Sequence, residues 1–300
     1  MSGRFRLAQI SDTHVRADDG GAAAAQLKRA LAQAKDYGAD VILLTGDLVN
    51  DAREGEYVAL AEALTDPPAP LYLMPGNHDD RALLRRFFPH HAYLPREGAL
   101  HFTIEDFPVR IVALDDVVPG QTHGLLRRSG AEWLESALSA ERGKPTIVAL
   151  HHPPFLTHDL LFDKIGLLDA EEFATVLARH RQVLRVVCGH HHRVAFGQAA
   201  HAPVIVAPSS SWTYGLAMDA GQQIAPKTAE QPGWVLHAWT DAGGIASHFM
   251  GLSSEGRQDA GGPDLSIRPV LRWRLGGGSR SAPWEEPAPA ESVPLFRINI

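Results

Sequence analysis

The chain is 300 residues long, with 45% apolar and 21% charged residues, and this composition is typical of a globular protein with a buried core. The net charge of −7 disfavours non-specific binding to nucleic acid or anionic lipid, because both require a basic surface. The single cysteine, Cys188, excludes a disulfide framework and a cysteine-based zinc site. Because there is no run of about 18 apolar residues and no apolar leader, we expect a cytoplasmic protein without a membrane span.

Short apolar runs alternate with helical patterns over the first two thirds of the chain. The predicted strands are residues 5–10, 41–45, 71–74, 109–114, 146–150, 184–188 and 203–207. The predicted helices are residues 22–37, 53–64, 131–140 and 170–179. Strands separated by helices favour crossover connections, and therefore a layered α/β architecture.

The pattern changes after residue 209. Residues 235–240 and 245–250 flank a turn at 241–244, which predicts a β-hairpin. From residue 253 onward the chain is rich in Gly, Pro and Ser, although residues 271–275 and 296–300 still alternate like strands. We therefore predict a main domain over 1–252, and a tail over 253–300 that docks through one or both strand-like segments.

Five polar segments directly follow predicted strands. They are Asp12-Thr13-His14, Gly46-Asp47, Gly76-Asn77-His78-Asp79, His151-His152 and Gly189-His190-His191-His192. In open α/β sheets, ligands collect beyond the carboxyl ends of the strands, where all five segments begin. Their imidazole, carboxylate and amide groups suit Zn, Fe, Mn or Co better than Mg or Ca.

Each segment also has an ordinary structural interpretation. A Gly-Asp pair after a strand is commonly a turn, and Asn77 or Asp79 could cap a following helix. A run of histidines could be a solvated loop. The five segments together, in this order and each at a strand end, favour a metal centre.

The series D-x-H, G-D, G-N-H-D, H and G-H-x-H, spread over residues 5–195, resembles the calcineurin-like metallophosphoesterase superfamily. Within it, the sequence is most similar to class III cyclic-nucleotide phosphodiesterases and glycerophosphodiesterases. The resemblance implies a four-layer αββα sandwich with a C-terminal hairpin and tail, residues 1–252 being the catalytic domain. It also implies two divalent or trivalent transition-metal ions, such as Fe, Mn, Zn or Co.

The resemblance assigns a role to each polar residue. The first metal would be bound by Asp12, His14, Asp47 and His192. Asp47 would bridge to a second metal that is completed by Asn77, His151 and His190. His78 matches the histidine of the family that contacts the phosphate and assists the leaving oxygen, and we expect Asp79 to orient the His78 imidazole.

Two subfamilies are disfavoured by local departures. Purple acid phosphatases have a tyrosine ligand three residues after the bridging aspartate, where this chain has Asn50. Protein Ser/Thr phosphatases carry a Gly-Asp-x-Val-Asp-Arg-Gly run, which residues 48–52 break.

The predicted reaction is hydrolysis of a small phosphodiester by a hydroxide that bridges the metals. Two divalent ions and two aspartates leave a net local charge of about +2, and metal-bound water can have a pKa of about 7.

Both 3′,5′-cyclic nucleotides and glycerophosphodiesters remain open as substrates, and a phosphomonoesterase is the nearest alternative. A nuclease is disfavoured by the acidic chain, and a non-catalytic scaffold by the retained His78. Loops at 123–124, 158–165 and 212–214 are expected near the site, and the late hairpin offers an edge for a homodimer.

Overall fold

The computed structural model describes residues 3–219 and 225–252. The strands are β1 (Arg4–Ile10), β2 (Val41–Thr45), β3 (Leu71–Met74), β4 (Phe102–Ile104), β5 (Arg110–Ala113), β6 (Thr146–Ala149), β7 (Val183–Cys188), β8 (Ala195–Ala199), β9 (Ala202–Val206), β10 (Thr213–Tyr214), β11 (Lys227–Thr228), β12 (Gly233–Thr240) and β13 (Gly244–Gly251). The helices are α1 (Ala22–Asp36), α2 (Glu54–Ala63), α3 (Arg81–Phe87), α4 (Arg127–Ala140) and α5 (Ala170–Leu177), with a 3₁₀ turn at Phe162–Lys164.

The strands form two main sheets. The five-stranded sheet has the order β13-β12-β1-β2-β3, in which β1, β2 and β3 are parallel while β12 and β13 form the antiparallel hairpin. The six-stranded sheet has the order β4-β5-β6-β7-β9-β8, with four parallel central strands between antiparallel edges. The parallel strands of each sheet place their carboxyl ends, and the loops that follow them, along one edge.

The side chains of the six-stranded sheet alternate between two apolar layers. Ile111 and Ile147 belong to the core shared with the five-stranded sheet, whereas their neighbours Val112 and Val148 pack with α4 and α5. On the other side of the molecule, apolar side chains of α1 and α2 cover the five-stranded sheet. This period-2 alternation gives the helix–sheet–sheet–helix order of layers, which confirms the predicted four-layer αββα sandwich.

The predicted elements agree closely with the structure where the apolar pattern is strong. The strand at 41–45 is buried throughout, and the strand at 71–74 and the hairpin are also found as expected. Prediction missed α3, β4, β8 and the β10–β11 ribbon. These elements are short or lie at a sheet edge, and in β8 the one large apolar residue, Phe196, is exposed, so its sequence does not mark a buried face. The α3 helix is capped by Asp80, whose side chain accepts a hydrogen bond from the Leu83 amide, rather than by Asn77 or Asp79.

The chain divides into two units, 1–254 and 255–300. The second unit contains the predicted strand-like segments at 271–275 and 296–300, which lie outside the described residues. The boundary at 252 therefore stays a prediction. Among residues 3–219 and 225–252, no helix has the length and apolar character needed to cross a bilayer.

A buried polar chain connects the two sheets beneath the strand ends. Gln9 of β1 donates to the Thr45 hydroxyl (3.1 Å) and to the Cys188 carbonyl (2.9 Å), and its amide oxygen lies 3.0 Å from His237 Nε2. His237 Nδ1 is 2.8 Å from the Ser247 hydroxyl. Because these polar groups satisfy one another, their burial is compatible with a stable core.

The pKa of His237 predicts a pH effect on stability. Burial and the charge of Arg185 lower this pKa from 6.5 to about 3, so the unfolded chain takes up a proton below pH 6.5 that the folded protein does not. The contribution of neutral His237 is thus present above pH 6.5 and is lost as the pH falls toward 3, by up to about 1.4 kcal/mol per pH unit. In urea unfolding between pH 6.5 and 4, His237→Gln should lose stability less steeply than the parent. His90→Gln, at an exposed position, should keep the parent slope, and identical slopes for all three proteins would contradict the prediction.

Candidate metal centre

The predicted ligands lie at strand ends on an unusual backbone. Ten described non-glycine residues have positive φ, and five of these are predicted metal ligands: Asp12, His14, Asp47, His190 and His192. Asp12 and His14 directly follow β1, but they do not continue its extended backbone, because their φ values are 51° and 42°. Such positions cost on the order of 1–3 kcal/mol each and persist where the surroundings determine them. Here the amides of Asp12 and His14 donate to the carbonyls of Gly46 and Asp47.

The first group of ligands converges as predicted. Asp12, His14, Asp47 and His192 are buried, and their ligating atoms all lie within 4.8 Å of one another. The Nε2 atoms of His14 and His192 are 3.0 Å apart, and His14 Nε2 is 3.7 Å from Asp47 Oδ2. Two imidazoles and two carboxylates around one point form a donor set that fits a transition-metal ion.

The second group meets the first at Asp47. The Oδ2 atom of Asp47 is 3.3 Å from His151 Nε2, so one carboxylate lies between imidazoles of both groups. His190 Nδ1 is 3.0 Å from Asn77 Oδ1. The Nε2 atoms of His151 and His190 are buried and have no hydrogen-bond partner among the described residues, which fits a role as metal donors.

Two neighbouring histidines are occupied elsewhere. The ligating atoms of His151, His152 and His190 lie within 4.8 Å of one another, but His152 Nδ1 is 3.0 Å from Asp116 Oδ2 and its Nε2 is 3.2 Å from the Thr122 carbonyl. His191 Nε2 is 3.4 Å from Asp159 Oδ2. These contacts favour a supporting role for His152 and His191 rather than metal binding.

Burial sets the charge of the donors. It lowers the pKa of His14 and His190 well below 6.5 and that of His192 to about 3, so these three rings are neutral near pH 7, the form that binds metals. Burial also raises the pKa of Asp12 to about 7. Burial opposes ionisation of Asp47 as well, but the adjacent His151 more than offsets it and holds the pKa of this carboxyl well below 3.8.

His78 is exposed to the cleft and is oriented by Asn50. Its Nδ1 lies 2.6 Å from the Asn50 carbonyl oxygen, which can only accept, so Nδ1 carries the proton and Nε2 is the nitrogen left for chemistry. Burial tends to lower the pKa of His78, but the carboxylate of Asp47 and the carbonyl of Asn50 raise it above 6.5.

The expected orientation of His78 by Asp79 is wrong. The Asp79 carboxylate accepts hydrogen bonds from the amides of Leu48 (3.1 Å), Val49 (3.2 Å) and Gly76 (2.8 Å). Leu48 and Val49 lie in the loop after β2, and Gly76 lies in the loop after β3. Asp79 therefore ties together these two loops, which also carry Asp47 and Asn77. Burial raises its pKa to about 7.

Two further residues support the centre, and sequence reasoning missed the first of them, Asp116. Asp116 follows β5 and accepts hydrogen bonds from the amides of His151 (3.2 Å) and His152 (3.0 Å). Ser209 donates to the Asp12 carbonyl (2.7 Å) and accepts from the Trp212 amide (3.2 Å). The strand-end rule that identified the ligands would also have identified Asp116, since the pair Asp115-Asp116 directly follows the predicted strand at 109–114.

A cleft extends from the donor groups in two directions. The aromatic lobe, with a volume of about 550 Å³, is lined by Leu161, Phe162, Ile165, Trp212 and Tyr214 besides ligand residues. The polar lobe, of about 590 Å³, is lined by residues that include Asp51, Asp80, Arg81 and Arg85. Asn50, Asn77 and His78 line both lobes. The predicted approach of loops 158–165 and 212–214 is therefore confirmed.

The Trp212 indole lies against His14 (4.6 Å between ring centroids) and Lys227 Nζ (3.8 Å from the indole centroid).

The sequence profile of the calcineurin-like phosphoesterase family matches residues 5–194, and the chain belongs to this family. Among curated relatives, a probable glycerophosphodiester phosphodiesterase GpdQ of Arcobacter nitrofigilis is 32% identical over 211 residues, which cover 70% of this chain and 77% of the relative. A cAMP/cGMP dual specificity phosphodiesterase of Mycobacterium tuberculosis is 34% identical over 229 residues, which cover 72% of this chain and 71% of the relative.

Solved structures share the fold at low sequence identity. A dimetal phosphatase from Danio rerio superposes with a TM-score of 0.56 at 14% identity, and the match covers 83% of this chain and 99% of that one. A purple acid phosphatase from yellow lupin superposes with a TM-score of 0.60 at 12% identity, over 85% of this chain and 52% of that one.

Gly46 provides a test of how closely the loops are packed. Its φ is 91°, and a Cβ atom here would lie 2.5 Å from His151 Nδ1 and 2.7 Å from the Gly76 amide nitrogen. Gly46→Ala should therefore displace Asp47 or His151 and reduce bound metal below two ions per chain, measured by plasma mass spectrometry after metal loading. Gly98→Ala is the matched control, because its φ is 70° but nothing lies within 4 Å of the added Cβ. Equal metal contents in the two variants would contradict the packing argument.

Proposed function

We propose that this chain is a dinuclear metal-dependent phosphodiesterase that hydrolyses small phosphodiesters, either 3′,5′-cyclic nucleotides such as cAMP or glycerophosphodiesters. The observation that carries the proposal is the Asp47 carboxylate, 3.7 Å from His14 Nε2 on one side and 3.3 Å from His151 Nε2 on the other. A shared carboxylate between two donor sets is the arrangement that a two-metal phosphoryl-transfer centre requires. Both of the relatives described above are named as phosphodiesterases, which supports the same reaction class.

The donors define which residues would hold each ion. The first set is Asp12, His14, Asp47 and His192, and the second set is Asp47, Asn77, His151 and His190. Ions bound there, of Fe, Mn, Zn or Co, would supply Lewis-acid stabilisation of the phosphoryl oxygens and an activated water. Because the donors are oxygen and nitrogen atoms, Cys188 has no part in the centre; it packs in the outer core beside α4 and α5.

His78 is the group that we propose to serve the leaving alcohol. With Nδ1 fixed on the Asn50 carbonyl, Nε2 is free to hold a proton and to deliver it to the ester oxygen as the P–O bond breaks. The Asn50 carbonyl favours the protonated ring, because it accepts the hydrogen bond from Nδ1. Asp79 acts at a distance from this step, by holding the loops of Asp47 and Asn77 together.

The shape of the cleft favours a diester over a monoester. A diester has two alcohol substituents, and the cleft offers two lobes that share Asn50, Asn77 and His78. A monoester would occupy only one of them. A broad phosphomonoesterase is the alternative. A non-catalytic scaffold is disfavoured, because all seven predicted donors and His78 are brought together. A cytoplasmic location and a homodimer remain predictions from the sequence.

A substrate panel tests the proposed function. Metal-loaded protein should hydrolyse bis(p-nitrophenyl) phosphate, and either cAMP or glycerophosphocholine, with a higher kcat/KM than p-nitrophenyl phosphate. Asp47→Ala should lose both metal ions and all activity, because Asp47 belongs to both donor sets, whereas Asp106→Ala, in an exposed turn, should behave as the parent. Preference for the monoester would contradict the diesterase assignment, and one retained metal with normal turnover in Asp47→Ala would contradict the bridging role.

The role of His78 predicts a different kinetic pattern. His78→Ala should lower kcat by about 10²- to 10⁴-fold, the usual effect of losing a general acid, while metal content stays near two ions per chain. His90→Ala, an exposed histidine outside the cleft lining, serves as the control. An unchanged kcat in His78→Ala, or a loss of metal equal to the loss of rate, would show that His78 is not the proton donor.

A further inference from the structure

The walls of the aromatic lobe are held by one buried carboxylate. Asp159 is fully buried, and its Oδ1 accepts hydrogen bonds from the amides of Leu161 (3.1 Å) and Phe162 (3.4 Å). Its Oδ2 accepts from the amide of Ala217 (3.3 Å), which lies beyond β10 in the chain. One side chain thus joins the two loops that carry Phe162 and Tyr214, and no metal-binding role is assigned to it.

Asp159 also links these walls to the loop that carries two ligands. Its Oδ2 is 3.4 Å from Nε2 of His191, which stands between His190 and His192. The Phe162 ring packs edge-on against His191 (4.9 Å) and His190 (5.6 Å), and the Tyr214 ring lies 4.9 Å from that of His192. The aromatic rings therefore have fixed positions relative to the phosphate-binding centre, which is the condition for a preformed subsite.

The lining of the lobe indicates the chemistry of its occupant. Besides ligand residues, it consists mainly of Leu161, Phe162, Ile165, Trp212 and Tyr214. Apart from the candidate metal donors and His78, Lys164 is the only charged residue among the described lining residues. Apolar surface of this kind stabilises an apolar group, because the contact removes both from water. Aromatic rings pack best with other rings. A polyol such as glycerol would find few partners for its hydroxyl groups here.

We propose that Asp159 fixes the aromatic lobe as a subsite for an apolar, ring-bearing alcohol of an acyclic phosphodiester. The proposal rests on the proposed phosphodiesterase function and names its substrate class. The second alcohol lies in the polar lobe, which also borders His78. In a cyclic nucleotide, by contrast, both ester oxygens belong to one ribose, and one lobe would be left without a substituent. Hydrolysis adds water across one P–O bond: the water oxygen bonds to phosphorus, the leaving oxygen takes a proton, and one alcohol and one phosphate monoester result.

The first test compares two diesters that differ in one alcohol. Benzyl methyl phosphate should have a kcat/KM at least about tenfold higher than 2,3-dihydroxypropyl methyl phosphate, through a lower KM. Phe162→Ala should reduce that ratio to below about threefold. Phe196→Ala is the matched control, because Phe196 is 70% exposed on β8 and does not line the cleft, and it should keep the parent ratio. Equal rates for the two diesters, or a higher kcat/KM for cAMP than for the benzyl diester, would overturn the proposal.

The second test addresses Asp159 itself. Asp159→Asn keeps one acceptor oxygen but replaces the other with an N–H group that faces a backbone amide donor. The KM for the benzyl diester should rise at least threefold more than that for the dihydroxypropyl diester, with metal content still near two. Asp163→Asn is the control, because Asp163 lies in the same loop but its side chain accepts only from Thr157 in the described hydrogen bonds. An equal fold-change in KM for both diesters would show that Asp159 has only a general structural role, and it would overturn the assignment.

A binding measurement separates this proposal from the proposed function. Methyl(phenethyl)phosphinate carries the charge of a diester but has no P–O–C bond to hydrolyse. In calorimetric titration of the metal-loaded parent, it should bind at least about tenfold more tightly than methyl(2,3-dihydroxypropyl)phosphinate. That preference without hydrolysis of any diester would support the subsite and contradict the phosphodiesterase function. Hydrolysis of diesters without that preference would overturn the subsite alone.

Discussion

The Asp47 carboxylate is the point on which the candidate site depends, because it must remain ionised and buried between two sets of imidazoles. The protein holds it there through the backbone. The His78 amide donates to its Oδ1 (2.9 Å), and Gly46 and Gly76 leave room for the neighbouring loop, since a Cβ on Gly76 would lie 2.2 Å from the same oxygen. Asp79 then ties the two loops through three amides. The position of the Asp47 side chain is thus fixed by main-chain contacts.

The sandwich explains why ligands from distant parts of the chain meet. Asp12 follows β1 of one sheet, and His190 follows β7 of the other, and the His190 amide donates to the Asp12 carboxylate (3.0 Å). Beneath this contact, Gln9 joins β1 to the Cys188 carbonyl across the core. The two sheets are therefore registered by buried hydrogen bonds just before the strands end. Apolar packing alone would permit the sheets to slide, whereas directional bonds favour one alignment.

Sequence reasoning succeeded where the determinant is local and failed where it is tertiary. The fully buried strand at 41–45 is visible in its own residues, and the five polar segments are visible because each directly follows a strand. The partner of Asp79 was assigned to its sequence neighbour His78, but the structure brings amides 30 residues away to it. The role of Asp159 depends on contacts with residues 191 and 217, which no local pattern indicates. The left-handed backbone of the ligands was also missed, because alternation implies an extended chain only while strand pairing continues.

The positive φ values of five predicted ligands limit which residues can replace them. Asp, Asn and His are the side-chain-bearing residues most often found with positive φ, and the ligands at the five such positions here are all Asp or His. Metal chemistry and backbone preference therefore select the same residue types at these positions. Branched or bulky replacements would lose the donor and strain the turn as well, so the two effects would be confounded in any single measurement. Asparagine keeps the conformational preference while it removes the negative charge of an aspartate or the imidazole of a histidine, so this replacement separates the two effects.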